Sequence, residues 1–126
     1  MKTVETLVLD DEPIVCERLR DYFEKKGITV ETFTDSTVAL NRLKEKKFDV
    51  VVSDLKMNGP TGMDVLRVVK ESGAGTEVII ITGYATIETS REAEIVGAFD
   101  FIAKPFQMSE MYKLVIKAAK KARKIK

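Results

Sequence analysis

Residues 51–62 read VVSDLKMNGPTG. Apolar β-branched residues run into Asp54, and a loop rich in Gly and Pro follows at once. The segment 49–53, DVVVS, is the most continuously β-branched in the chain. Both of its faces are expected to be covered, as in a central strand of a parallel sheet. A carboxylate at the end of such a strand is costly to desolvate, so it needs water, a partner or a cation.

The flanking sequence supplies a regular alternation around that strand. Residues 4–9 predict a short strand, and Pro13 opens a helix on which Val15, Leu19, Tyr22 and Phe23 recur to residue 26. Gly27 stops it, and ITVETF at 28–33 predicts a second strand. Asp35 or Ser36 can cap a helix carrying Val38, Ala39, Leu40 and Leu43, with a polar end at Lys44–Lys47. Beyond the Gly/Pro loop, Met63, Val65, Leu66, Val68 and Val69 make an inward stripe to about Glu71. Residues 77–82 and 98–102 predict two more strands, and 86–96 and 107–123 two more helices, the last turning Met111, Leu114, Val115 and Ala118 or Ala119 inward. Five strands alternating with five helices argue an α/β, doubly wound, parallel sheet in one domain over residues 1–126.

Composition narrows the function. The 126 residues carry a net charge of +1, which gives the chain as a whole no bias towards nucleic acid or membrane. The charge is uneven: seven Lys or Arg and no acid lie between Lys113 and Lys126, leaving 14 basic against 20 acidic residues before them. A helix end favoured by its dipole explains that tail most simply, and no aromatic interleaving supports direct nucleic-acid binding. Cys16 is the single cysteine, so no intrachain disulfide forms and a buried thiol is expected. No apolar run approaches a membrane span, and the acids at Glu5, Asp10, Asp11 and Glu12 are unlike a secretory signal, so a cytoplasmic location is expected. The absence of histidine removes histidine ligands, bases and phosphocarriers from the chain.

The chemistry-bearing residues fall at strand ends. Asp10 and Asp11 follow the first strand, Asp54 the third, Thr82 the fourth, and Lys104 lies just past the fifth. In an open parallel sheet these ends share one crevice, where ligands bind. Three carboxylates held together repel one another, and a hard divalent cation such as Mg2+ relieves this while keeping water sites open to a phosphoryl oxygen. Lys104 can pair with Asp54 and later with that phosphoryl group, and Thr82 offers it a hydroxyl. Such a carboxylate is equipped to attack phosphorus and form an acyl phosphate. Lys104 is expected to serve signal transmission more than folding. Gly59 and Gly62 match neither phosphate-loop spacing, and turn geometry is the modest account of both.

These residues carry a resemblance. VLDDEP at 8–13, VVSDLKMNGPTGMDVL at 51–66, IIITGYA at 79–85 and FIAKPF at 101–106 resemble the response-regulator receiver domains of two-component systems, over residues 3–123. The resemblance implies a flavodoxin-like fold with strand order 2-1-3-4-5. It implies that Asp54 accepts a phosphoryl group from a sensor histidine kinase or phosphotransfer protein. Asp10, Asp11, Asp54 and the backbone carbonyl of Lys56 would then hold Mg2+, Asp10 partly through water. Thr82 matches the switch hydroxyl, Lys104 the phosphate-contacting lysine, Phe101 the switch aromatic, and Pro105 a proline usually preceded by a cis peptide. A phosphorylation-dependent homodimer or an output-domain contact through residues 86–120 is expected, because Thr82 and Phe101 flank that region in the chain and any coupling from Asp54 passes through packed neighbours. The family commonly has proline at the place of Asn58, which leaves the local loop shape open. GYA after Thr82 is similar to receivers of the nitrogen-regulator kind, attached to ATPase or DNA-binding outputs that regulate transcription. The implied protein is a phosphoacceptor switch and not a turnover enzyme. Two alternatives are a binding module that keeps the fold without phosphotransfer, and an aspartyl-phosphate phosphohydrolase. The second would need a further acid/base, and Lys56 stands where such a carboxylate could serve.

Overall fold

A computed structural model describes residues 3–124. Five parallel strands form one sheet: β1 (Glu5–Leu9), β2 (Thr29–Phe33), β3 (Val50–Asp54), β4 (Glu77–Thr82) and β5 (Asp100–Ala103). Their order is β2-β1-β3-β4-β5, as expected. Helices α1 (Pro13–Lys25), α2 (Ser36–Glu45), α3 (Gly62–Ser72), α4 (Ile87–Val96) and α5 (Met108–Lys124) make the crossovers. The strand order reverses between β1 and β3, and a crevice opens beyond their carboxyl ends.

Alternation along the strands builds two cores. Val8, Val50, Val52, Ile79 and Ile81 face α1 and α5, where Leu19, Phe23, Met111 and Val115 close over them. Leu7, Leu9, Val51, Val78 and Ile80 face the other way, against Ala39, Val65, Leu66, Val69 and Ala93 of α2, α3 and α4. Each fully buried aliphatic side chain contributes about 1.5–3 kcal/mol relative to exposure, so these two cores supply the main drive to fold. Cys16 is buried as expected, its Sγ 3.4 Å from the Asp10 carbonyl.

Several boundaries differ from the sequence expectation. β3 runs one residue further and includes Asp54, because its ladder to β4 pairs Asp54 with Ile81 and continues in Leu55 N–H to Ile81 O at 2.9 Å. β5 begins at Asp100, not 98, because Ala98 N–H closes α4 by bonding Ala93 O at 2.9 Å beyond a left-handed Gly97. Val68 is 40% exposed and leaves the inward stripe of α3 to Met63, Val65, Leu66 and Val69. At the C-terminal end of α5, the expected basic ridge reaches Lys124, and Lys126 lies outside the described residues. Among the described residues no helix is long and apolar enough to cross a membrane.

Candidate functional site

The β1, β3 and β5 ends place three of the expected residues in contact. Asp10 follows β1 and is held by its own N–H to Phe33 O at 3.0 Å. Its Oδ1 accepts the Glu12 N–H at 2.9 Å. Its Oδ2 is buried, lacks a hydrogen-bond-aligned partner, and lies 2.8 Å from Lys104 Nζ as an ion pair. The same ammonium lies 3.2 Å from Asp54 Oδ2 and 3.0 Å from Glu12 Oε1. Asp54 Oδ1 faces the Lys56 N–H at 3.4 Å. One lysine thus serves three carboxylates, two of them buried.

This crowding sets the protonation chemistry. Burial pushes the Asp10 carboxyl above the ordinary aspartate range. Lys104 and the Glu12 N–H pull it down, but the Asp54 charge adds to the rise. For Lys104, burial works against the charged form, yet its contacts with Asp10 and Glu12 outweigh that and hold the ammonium above the usual lysine range. Lys104 therefore stays a cation throughout the physiological pH range.

The carboxylates also fit a hard divalent ion. One oxygen from each of Asp10, Asp11, Glu12 and Asp54 lies within 4.8 Å of the others. The set is all oxygen, it is four negative charges against one ammonium, and Asp10 Oδ2 has no aligned donor to satisfy it. Asp11 is exposed and free to turn towards such an ion.

Thr82 ends β4 fully buried and opposite Ala103 of β5. Its carbonyl accepts the Lys104 N–H at 2.8 Å, which fixes the lysine's starting point. Its hydroxyl accepts the Tyr84 N–H at 3.0 Å. Phe101 lies on β5, half-buried against the second core, and borders an open groove with Ile87 and Arg91 of α4. The peptide between Lys104 and Pro105 is cis.

The β3–α3 loop is built by residues whose part the sequence did not disclose. Thr61 and Asp64 form a reciprocal capping box at the start of α3. Gly62 is needed for space: a Cβ there would lie 2.3 Å from the Asp54 carbonyl oxygen. Its role is close approach and not the expected turn geometry, which belongs to Gly59 with φ 78°. The buried Ser36 of α2 donates its hydroxyl to Asn58 O at 3.2 Å, which ties the loop down at Asn58. Glu12 was also missed as a site residue. Its only sequence signal is that it is the third consecutive acid after β1.

The family model of the response regulator receiver domain matches residues 6–116. A putative NtrX-like response regulator of Rickettsia conorii is 32% identical over 120 residues, covering 94% of this chain and 25% of that protein. The chain thus spans about a quarter of the length of such relatives. A receiver domain protein from Clostridium thermocellum superposes with a TM-score of 0.90 at 30% identity, over 98% of this chain and 99% of the other. The beryllofluoride-activated NtrC4 receiver domain dimer superposes with a TM-score of 0.88 at 29% identity, over 94% and 98%.

Proposed function

The chain belongs to the response-regulator receiver family, and on that premise we propose that it is a Mg2+-dependent switch phosphorylated on Asp54. Receiver domains are phosphoacceptor switches of two-component systems, not turnover enzymes in the usual sense. The observation that carries the reading is the placement of Lys104 Nζ between Asp10, Glu12 and Asp54 at the carboxyl ends of the strands.

Asp54 attacks phosphorus through a carboxylate oxygen, forming the acyl phosphate as the bond to the donor nitrogen breaks. The donor's imidazole keeps the electron pair of that bond and is protonated. Asp10, Asp11, Asp54 and the Lys56 carbonyl would hold Mg2+, which supplies charge neutralisation for the phosphoryl oxygens. Lys104, already charged, needs only to exchange a carboxylate for a phosphoryl oxygen. Thr82 offers its hydroxyl, and Phe101 follows the movement of β4 and the loop after it. Position 56 does not supply the acid/base a phosphohydrolase would want: the Lys56 ammonium lies 4.3 Å from the Tyr84 ring centroid.

Two surfaces suit the partners. Beside Lys104, an apolar groove lined by Ile14, Val15, Pro105, Phe106 and Met108 suits a helix of a sensor histidine kinase or phosphotransfer protein carrying the donor histidine. On the other side, α4 exposes Ile87 and Ile95 with the acids Glu88, Glu92 and Glu94, while α5 exposes Lys113, Lys117 and Lys120. Opposite charges on these two helices favour a two-fold pairing or an output-domain contact through residues 86–120. We read residues 1–126 as one cytoplasmic receiver domain, the input of a transcriptional regulator.

Intact-mass measurement with a small phosphodonor and Mg2+ tests the assignment. One phosphoryl group is expected on the parent and none on D54A. Equal labelling of both proteins, or labelling unaffected by chelation of Mg2+, contradicts it.

A further inference from the structure

Two loops meet over the mouth of the acidic site, and one side chain from each contacts the other. Lys56, between β3 and α3, places Nζ 4.3 Å from the ring centroid of Tyr84, between β4 and α4. Among the described residues neither side chain has another polar partner. Each residue is also tied by its backbone to a group of the site. The Lys56 N–H faces Asp54 Oδ1, and the Tyr84 N–H donates to Thr82 Oγ1. Thr82 is fully buried, so its hydroxyl cannot trade that donor for water. A shift of the hydroxyl towards an anion on Asp54 either gives up the Tyr84 bond or draws the Tyr84 backbone after it. The second course disturbs the ring's contact with Lys56.

We propose that the Lys56–Tyr84 contact is a latch that holds Thr82 in the unphosphorylated arrangement and so sets the threshold of the switch. The proposal rests on the phosphoacceptor reading. Lys56 acts in it through its ammonium, apart from any part its backbone carbonyl takes. Both residues are positioning residues, acting through Thr82. The Tyr84 ring is largely exposed, so the latch biases the equilibrium by about two- to fivefold. While the switched arrangement is the minor one, the same factor enters the apparent affinity of any ligand that selects it.

Amide-detected NMR titration with Mg2+ and beryllofluoride tests this on the parent, K56Q, Y84L, the K56Q/Y84L double variant, K56R and Y84F. K56Q and Y84L are each expected to bind beryllofluoride about two- to fivefold more tightly than the parent, and the double variant no more tightly than either. K56R and Y84F, which keep the cation and the ring, are expected to match the parent. In the absence of any probe, Tyr84 amide exchange is expected to quicken in K56Q. Equal affinity across the series, or gains that add in the double variant, overturns the latch. Failure of the parent to bind beryllofluoride rejects the phosphoacceptor reading instead. The probe-free exchange then still decides the latch, which an unchanged Tyr84 rate in K56Q rules out.

Discussion

Asp10 has its Oδ2 buried without an aligned donor, facing a lysine that two other carboxylates share. Its pKa is raised in the folded chain, so folding favours its protonated form. The ionised form therefore costs stability: not at all below the unfolded-state pKa, and fully once pH exceeds the folded one. Without Mg2+, D10N is expected to melt higher than the parent at pH 7, by less than the loss of the buried charge alone would give, because Lys104 loses one of its three carboxylates. The gap should close on acidification through the aspartate range, and thermal melts across that range check it. Lys104 has the opposite sign. Its raised pKa gives a stabilising contribution present below the ordinary lysine range and lost only in strong alkali. K104A should therefore lose about 1–3 kcal/mol in urea unfolding, since Asp10 is left buried without its cation. Mg2+ should restore part of that loss by binding the folded state, while the phosphoryl-driven change stays absent. The sequence showed Asp10, Asp11, Asp54, Thr82 and Lys104 by their strand-end positions. Glu12 and the Lys56–Tyr84 contact stayed hidden, because side-chain direction at a loop leaves no periodic trace.

At the scale of elements, the junction of β3 and α3 does the positioning. The α3 N-terminus packs so close to β3 that Gly62 N–H bonds Leu55 O at 2.9 Å, leaving no room for a Cβ. G62A must displace backbone, and a loss of more than about 2 kcal/mol in urea unfolding is expected. The displaced atoms are those of Asp54 and Leu55, so Mg2+ affinity should fall as well, as calorimetric titration would report. T61A, by contrast, should cost about 1 kcal/mol as an ordinary cap loss, with Mg2+ affinity unchanged. Hydrophobic runs predicted every strand and helix. Their ends were less legible: β3 runs on to Asp54 because its ladder with β4 continues in Leu55 N–H to Ile81 O, and β5 starts late because Ala98 N–H closes α4 on Ala93 O. Val68 shows the same limit. It lies between the inward face of α3 and solvent, and only the packing of α2 against α3 decides its side.

Across the whole molecule, the sheet keeps the acidic site rigid at one end while the helices on its edges present different surfaces. Ile95 is 83% exposed on α4 and contributes little to folding. I95D is expected to change unfolding stability by no more than about 0.5 kcal/mol. In sedimentation it should abolish the dimer expected of the parent with beryllofluoride and Mg2+, and a monomeric parent in both states at high micromolar concentration would defeat the dimer claim. Charge added at Asp54 is expected to be felt at this face. The direct measurement is the amide NMR spectrum of the parent with Mg2+, before and after beryllofluoride. Shifts are expected at Asp54, Thr82 and Lys104 that extend through Phe101 to Ile87 and Ile95, and are absent from D54A. Shifts confined to the residues around Asp54, or the same shifts in D54A, would contradict this expectation.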